Sequence, residues 1–427
     1  MPDLKGIQRI ELWREKDGIF GVFDDWFLEY IIVKKMKCLE SGFKDVFFSG
    51  LSMDTEDKFQ ETAPFPCNRW IQPERRYTFI KYDSILPQLD DRVEQRKCEL
   101  EEKRLDYVFD EKVKGLPKQV QHCPQQEVFS NEYKWRIFES KVALKAQKMF
   151  TKLTTSGNWD DLDDILGIYK YSFEIPQGYY DWRSDRSFGI QRVGSCNPTL
   201  IQLCKEIPSN FAVTNEMVEQ FLGGLKLEEA IYRKEIYIVD HKVLHDFTCK
   251  EDRTICAPLA LFHAKKNGDL LPIAIQLFQE AGADNPVFLP SDPPFTWMLV
   301  KMYFNNADCA IHQACTHLGF THLLVESICV ATHRELSPSH PVYQLMAPHF
   351  LYLIAINSLA VKKLLSPGGW IDVTMTTGAE GLLEVVRRKW EQYRLDREGW
   401  LPADLKMRGV DDKESILSVP RRWPASS

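Results

Sequence analysis

Three histidines at intervals of five residues, His312, His317 and His322, restrict the fold of this chain more than any other feature. They lie in the apolar segment from Ala307 to Val330, which predicts a helix buried in a core. On an ideal α-helix, residues five apart lie roughly 140° from each other around the axis. A widened turn with five-residue hydrogen bonding brings them back into near register, and such π-type turns are rare and concentrate at functional sites. The spacing therefore predicts a distorted helix that holds a metal ion.

The residue types around the histidines limit the kind of metal site that the segment could form. Position 313 is glutamine, so the HExxH pattern of zinc proteases with a glutamate base is absent. Histidine donors without thiolate ligands suit iron or zinc, and a redox metal also needs an open coordination position. The alternative is that the three histidines only form hydrogen bonds with neighbours in a core.

Composition excludes several classes of protein. With 427 residues and 44% hydrophobic content, the chain can bury a large core in two or more domains. Acidic residues outnumber basic ones by 61 to 54, so we expect no nucleic-acid partner. Eleven cysteines without a CxxC pair favour reduced thiols and a cytoplasmic location. Because no signal sequence and no uninterrupted apolar run of membrane-spanning length occur, membrane contact is expected to be peripheral.

Hydrophobic patterning predicts a multi-domain chain. Residues 1–85 have short β-branched and aromatic runs, among them the run at 45–50, which are typical of part of a small antiparallel β-sandwich. The charge-dense stretch within 86–115 predicts an exposed linker helix. A mainly α-helical domain follows from residue 116.

Within the helical domain, three segments carry clear signals. Residues 132–153 have the periodicity of a helix, and so do residues 350–365, which end at Ser366-Pro367-Gly368-Gly369. Between Ile236 and Leu289, short apolar runs broken by Asn267–Gly268 predict a small antiparallel sheet with a tight hairpin. The closing stretch from Lys406 shows no clear element.

The histidine pattern extends beyond the first three. His312, His317, His322, His340 and His349 are separated by four, four, seventeen and eight residues. Together with the stretches LLPIAIQL, NPVFLPSD, HQACTHLGFTHLLVE and HPVYQLMAPHF, this pattern resembles the histidine signature of the lipoxygenases. The chain resembles an animal-type lipoxygenase from about residue 10 to about residue 416, which leaves 417–427 as a divergent tail.

This resemblance implies a fold and an activity. Residues 1–85 would be part of a PLAT, or C2-like, β-sandwich that assists peripheral membrane association and can bind calcium, and 116–416 would belong to a catalytic domain that holds one non-haem iron. The implied reaction removes hydrogen from the bis-allylic methylene of a polyunsaturated fatty acid and adds O2, which gives a lipid hydroperoxide. The oligomeric state stays unknown.

The resemblance also implies roles for particular residues. His317 and His322 match the iron ligands, whereas His312 and Gln313 match residues that surround the ligands. Four apolar residues are candidates to line a fatty-acid pocket, with ordinary core packing as the alternative: Leu318, Ile356, Ala360 and Leu364. Ala360 matches the position where alanine generally accompanies S products and glycine R products.

The family pattern is incomplete here. A third histidine ligand, a further Asn, His or Ser, and a C-terminal isoleucine carboxylate complete the iron site in the family, and no histidine follows His349 in this chain. We therefore expect a chain truncated at both ends, severely at the C-terminus. The alternative to a dioxygenase is an inactive lipoxygenase fragment that acts as a lipid-binding or dimerising module.

Overall fold

The computed structural model describes most of the chain. The described residues are 9–13, 26–36, 59–71, 76–80, 86–89, 93–129, 133–134, 161–165, 169, 175–195, 197–249, 253–337 and 340–411. The chain divides into two units, of which one contains Met1–Trp159 with Leu323–Ser358 and the other Asp160–His322 with Leu359–Ser427. The strand-like run at 45–50 and the tail at 417–427 lie outside the described residues, and so does the predicted helix at 132–153 except for residues 133–134, which are helical.

Strands and helices alternate along the chain in long blocks. The strands are β1 Arg9–Trp13, β2 Trp26–Met36, β3 Phe59–Ile71, β4 Arg76–Ile80, β5 Phe109–Asp110, β6 Gln119–Val120, β7 Gln202–Leu203, β8 Ile236–Asp240, β9 Leu259–Ala264, β10 Leu270–Gln276 and β11 Val287–Phe288. The α-helices are α1 Val93–Asp106, α2 Asp185–Gly194, α3 Asn215–Val218, α4 Leu227–Tyr232, α5 Pro294–Ile311, α6 Val325–Glu335, α7 Pro341–Met346, α8 Leu353–Lys363, α9 Trp370–Thr374, α10 Gly378–Trp390 and α11 Leu401–Arg408.

The first unit begins with two antiparallel ribbons. Strand β1 pairs with β4 and β2 pairs with β3. Their buried side chains form one apolar cluster: Ile31, Phe65, Cys67, Ile71, Tyr77 and Phe79. The expected antiparallel β-structure near the N-terminus is present in these strands, whereas a complete sandwich stays a prediction. Helix α1 lies within the stretch for which a linker helix was predicted.

The second unit contains the predicted antiparallel sheet. Its strand order is β11-β10-β9-β8-β7. Strands β9 and β10 form a hairpin, and Gly268 in its turn has a φ of 91°. A residue with a Cβ rarely adopts this left-handed conformation, which explains the glycine after Asn267.

The central helix is continuous over Pro294–Glu335 and comprises α5, the π-helix His312–Leu324 and α6. It is long and apolar enough to cross a membrane by length and composition alone. This is weak support for a membrane span, because the core helix of a soluble protein meets the same criteria. Lys301, Asp308 and Glu326 are buried along it. Lys301 donates to Asp185, which is typical of a core helix whose charged groups are paired.

The C-terminal part of the described chain is helical. Helix α8 confirms the helix predicted for 350–365, although it begins later, at Leu353. The closing stretch is not free of structure, because α11 extends to Arg408 and includes Lys406. The buried ion pair between Arg408 and Asp404, with an N–O distance of 2.6 Å, joins successive turns of α11. The polar composition of this stretch hid the helix, since its charges pair with each other.

A close approach between α2 and β10 gives a test of the second unit. A Cβ on Gly189 would lie 1.7 Å from the carbonyl oxygen of Leu270, whereas a Cβ on Gly194 of the same helix would meet nothing within 4 Å. Gly189→Ala should therefore lower the free energy of unfolding by about 1–3 kcal/mol or more, because the backbone must shift. Gly194→Ala is the matched control and should be neutral or stabilising by up to about 1 kcal/mol. Thermal unfolding of both variants measures this, and equal melting temperatures would contradict the packing.

A second test concerns the buried histidine that follows β8. Burial lowers the pKa of His241 to about 4 from 6.5; Asp308 opposes this shift and Arg192 adds to it. Between pH 6.5 and 4, His241 binds a proton in the unfolded chain but not in the folded chain. The stability that is present above pH 6.5 is therefore lost as the pH falls toward 4. The shift corresponds to on the order of 3 kcal/mol. In denaturant unfolding, the free energy of unfolding should decline less between pH 7 and 4.5 in His241→Gln than in the unsubstituted protein. The variant's own stability at pH 8 measures the loss of packing, and an unchanged slope would refute the assignment.

Candidate metal centre

The histidine segment leaves α-helical geometry at a defined point. Helix α5 ends at Ile311, and the N–H of His312 donates to the carbonyl oxygens of both Asp308 and Cys309. From there the chain is a π-helix until Leu324. The widened turn that the five-residue spacing predicts is therefore confirmed. Its physical consequence is that side chains five residues apart meet on one face.

His317 and His322 are brought together by this turn. Their Nε2 atoms lie 3.1 Å apart, and their rings cross at 78° with centroids 4.8 Å apart. Two imidazole nitrogens that each bind one metal ion at about 2.1 Å, with a right angle between the bonds, lie about 3 Å from each other. The pair therefore has the separation of two adjacent ligands.

Gln313 orients the first of the two rings. Its Oε1 atom lies 2.9 Å from Nδ1 of His317, one α-turn along the chain. With the amide in this orientation, Nδ1 carries the proton because a carbonyl oxygen only accepts. The lone pair of His317 is then on Nε2, the atom that faces His322. This is the way in which a neighbouring hydrogen bond selects the tautomer of a metal-binding histidine.

The electrostatics favour a neutral ring at His317. Partial desolvation lowers the pKa of His317 although its side chain is exposed, and the nearby rings of His322 and His312 lower it further. A neutral imidazole keeps the lone pair that a metal requires. The His312 ring lies parallel to that of His317, with centroids 6.3 Å apart.

The expectation that all three imidazoles sit in a core is wrong. His317 is exposed, and His312 and His322 are half-buried. The buried residues of the π-helix are instead Leu323 and three small residues, Ala314, Cys315 and Gly319. Gly319 lies so close to α10 that a Cβ there would be 2.9 Å from Cγ1 of Val386. The apolar composition of the segment thus reflects its contact with α10, and the histidines lie on a different face.

The predicted pocket residues lie on two elements. Leu318 is half-buried and follows His317 directly on the π-helix. Ile356, Ala360 and Leu364 recur at four-residue intervals along and just beyond α8, which places them on one face. Ile356 and Ala360 are half-buried, and Leu364 is 41% exposed. Their role as a fatty-acid pocket stays a prediction.

The nitrogen pair fits a metal ion as two of its ligands. In the described part of the chain, no group of three or more His, Cys, Asp or Glu side chains is arranged for metal binding. Nδ1 of His312 is buried without a hydrogen-bond partner among the described residues. His340 is a helix cap: its Nδ1 accepts from the N–H of Val342 at the start of α7. The assignment of His317 and His322 as ligands stays a prediction that this geometry supports.

Sequence reasoning missed several polar residues next to the pair. Thr316 and Thr321 precede the two histidines and are themselves five residues apart, and the hydroxyl of Thr321 donates to the carbonyl oxygen of Thr316 at 2.7 Å. The repeated spacing of TH in HQACTHLGFTHLL was the signal that could have revealed them. Asn197, which bonds to Thr316 over a separation of 119 residues, had no such signal.

Comparison with known proteins decides the family. A family model described as lipoxygenase matches residues 65–418. The chain belongs to the lipoxygenase family. Polyunsaturated fatty acid lipoxygenase ALOX8 of Mus musculus is 32% identical to this lipoxygenase over 369 residues, which is 82% of the chain and 54% of the relative. The allene oxide synthase-lipoxygenase protein of Plexaura homomalla is also 32% identical, over 97% of the chain and 40% of its own length.

Solved lipoxygenase structures share this fold. The anaerobic crystal structure of a lipoxygenase deletion variant in complex with arachidonate has a TM-score of 0.81 at 32% identity and covers 96% of this chain. The coral 8R-lipoxygenase structure, described as activated by calcium through a C2-like domain, has a TM-score of 0.79 at 33% identity. The chain spans 60% and 59% of these two structures and about half the length of the curated relatives. The predicted helical lipoxygenase fold with small antiparallel sheets is therefore confirmed.

The hydrogen bond from Gln313 gives a test of ligand orientation. Gln313→Ala removes the acceptor that fixes the tautomer of His317, so metal affinity should fall about tenfold to a hundredfold. Equilibrium dialysis against Fe(II) without oxygen measures the affinity. Gln202→Ala, at an exposed position on β7, is the matched control and should bind like the unsubstituted protein. Equal affinities of the two variants would show that the bond does not orient the ligand.

Proposed function

We propose that this lipoxygenase is a non-haem iron dioxygenase that converts polyunsaturated fatty acids into lipid hydroperoxides with O2. The observation that carries the proposal is the 3.1 Å approach of the Nε2 atoms of His317 and His322 in a π-turn. The membership of the family and the arachidonate complex of a relative at 32% identity support the substrate class.

The chain's own residues would perform two tasks around the iron. His317 and His322 would each offer a neutral nitrogen, and Gln313 would keep the proton of His317 on Nδ1. When bound, the iron supplies one-electron redox chemistry at an open coordination position. The neutral donors would favour the reduced form of the metal more than carboxylates would, since they add no negative charge.

An apolar surface suits the proposed substrate. Along α8, Ile356, Ala360 and Leu364 present a row without a charged residue at four-residue intervals. A flexible hydrocarbon chain gains about 0.8 kcal/mol for each methylene that such a surface removes from water. We propose that these residues and Leu318 contact the fatty acid and that Ala360 favours S products.

The N-terminal ribbons are proposed to belong to a PLAT, or C2-like, sandwich. The calcium-activated coral relative, with its C2-like domain, motivates this proposal. The sandwich would take calcium and bring a cytoplasmic enzyme to membrane surfaces where fatty acids are released. The alternative of an inactive lipid-binding or dimerising module is not favoured, because relatives at 30–37% identity are named for lipoxygenase chemistry.

The proposal predicts paired losses of metal and activity. His317→Ala and His322→Ala should each abolish stoichiometric iron and lower the rate of diene formation about a hundredfold or more, because each removes a ligand nitrogen. Iron is measured by elemental analysis of the purified protein. Activity is followed as conjugated-diene absorbance with linoleate or arachidonate.

His340→Ala is the matched control, since Nδ1 of His340 accepts from the N–H of Val342 and caps α7. It should retain iron and activity, with at most a loss of about 1 kcal/mol in stability from the missing cap. Loss of iron in His340→Ala to the same extent as in His317→Ala, or an unsubstituted protein that binds no iron, would refute the proposed function.

A further inference from the structure

A mostly buried polar network joins the π-helix to α2 and α5, and it does not include His317 or His322. It joins Arg192 of α2, Asn197, Asp308 of α5 and Thr316 of the π-helix. The side chains of Arg192 and Asp308 are 3% and 6% exposed, and an N–O distance of 3.4 Å separates them. Burial of a charged pair is costly unless further hydrogen bonds hold it. The hydrogen bonds of the network therefore offset part of the cost of burying Arg192 and Asp308.

Asn197 is the link between the charged pair and the helix. Its Nδ2 donates to the backbone oxygen of Asp308 at 2.6 Å and to Oδ1 of Asp308 at 3.2 Å. Its Oδ1 accepts from the hydroxyl of Thr316 at 3.0 Å. Both ends of the amide are thus used, and Asn197 is 2% exposed. The Asp308 carbonyl is also the one that receives the N–H of His312, where α-helical geometry gives way to the π-helix.

Thr316 transmits this arrangement to the histidines. Its hydroxyl bonds to Asn197, and its carbonyl oxygen accepts from the hydroxyl of Thr321. Each threonine directly precedes one of the paired histidines, so the two residues before the ligands are tied together. A π-turn is a rare helix form, and a threonine hydroxyl bonded to a backbone carbonyl offers the backbone an alternative to regular α-helical bonding.

The opposite side of the segment is held by packing. The sulfur of Cys315 lies 3.8 Å from the carbonyl oxygen of Val385, and Gly319 is pressed against Val386. This contact prevents the segment from moving toward α10, but apolar packing alone does not select between an α-turn and a π-turn. The directional bonds through Asn197 supply that selection.

We propose that Asn197 and Thr316 are positioning residues, and that the hydrogen-bond chain Asp308–Asn197–Thr316 holds the π-turn in the register that brings Nε2 of His317 and His322 to one metal ion. In its link to iron this inference rests on the proposed function. The turn itself can be tested without metal.

The experiment compares two replacements of Thr316. Thr316→Val keeps the shape and removes the hydroxyl, whereas Thr316→Ser keeps the hydroxyl. Thr332→Val is the matched control, because the hydroxyl of Thr332 bonds to the Ile328 carbonyl of its own helix. Asn197→Ala serves as a second variant that removes the link from the other end.

The first measurement is amide hydrogen exchange of the metal-free protein. Exchange across 312–324 should rise about tenfold in Thr316→Val and Asn197→Ala, stay unchanged in Thr332→Val and return to the original rate in Thr316→Ser. The strands β8 to β10 report on global stability and should not change. Unchanged exchange across 312–324 in both Thr316→Val and Asn197→Ala would overturn the proposal.

The second measurement is the binding of Fe(II) and Co(II), with the visible absorption of the Co(II) form as the readout of ligand geometry. Thr316→Val should lose about tenfold to a hundredfold in affinity and show an altered Co(II) spectrum, and Thr316→Ser should restore both. Affinity and spectrum identical to the original in Thr316→Val would overturn the positioning role. If the unsubstituted protein binds neither metal, the proposed function fails, and the exchange measurement alone decides whether Asn197 and Thr316 hold the turn.

Discussion

The widened turn between His312 and Leu324 is the constraint on which the rest of the site depends. In an α-helix, His317 and His322 would point in different directions, whereas here their Nε2 atoms are 3.1 Å apart. Two neutral lone pairs at this distance repel unless a proton or a cation lies between them. With the Nε2 proton on His322 the contact is a hydrogen bond to His317, and with both Nε2 atoms unprotonated the same position suits a cation. The neighbouring elements are needed to keep this less stable helix type in place.

Several elements of the fold were predictable because their sequence signals are local. The five-residue spacing indicated the π-turn, the turn residues Asn267–Gly268 indicated the hairpin, and the apolar run of α8 ended where glycine and proline accumulate. The burial of the histidines was predicted wrongly, because an apolar segment was taken to be buried on all sides. Cys315 and Gly319 are the residues that contact α10, and glycine permits a close approach of two backbones.

The polar network could not be predicted from the sequence. Asn197 follows α2, Asp308 lies in α5 and Thr316 in the π-helix, so the bonds join positions more than 100 residues apart. A single asparagine carries no periodicity, and only the folded chain reveals that its amide is saturated. The same holds for His241, whose ring lies 3.4 Å from Asp308 and is fully buried. Its neutrality at physiological pH follows from burial, which no sequence pattern expresses.

A metal site with two ligands on one helix needs a rigid backbone more than a site with ligands from several elements does. A rotation of a few degrees between the two turns would separate the Nε2 atoms, and no third described ligand compensates for that change. The threonines before the histidines limit this rotation, because the Thr321 hydroxyl closes the turn onto the Thr316 carbonyl. Gln313 then limits rotation of the His317 ring itself. Backbone register and ring orientation are thus set by different hydrogen bonds, but both act on His317, so the effects of removing them on metal affinity should not simply add.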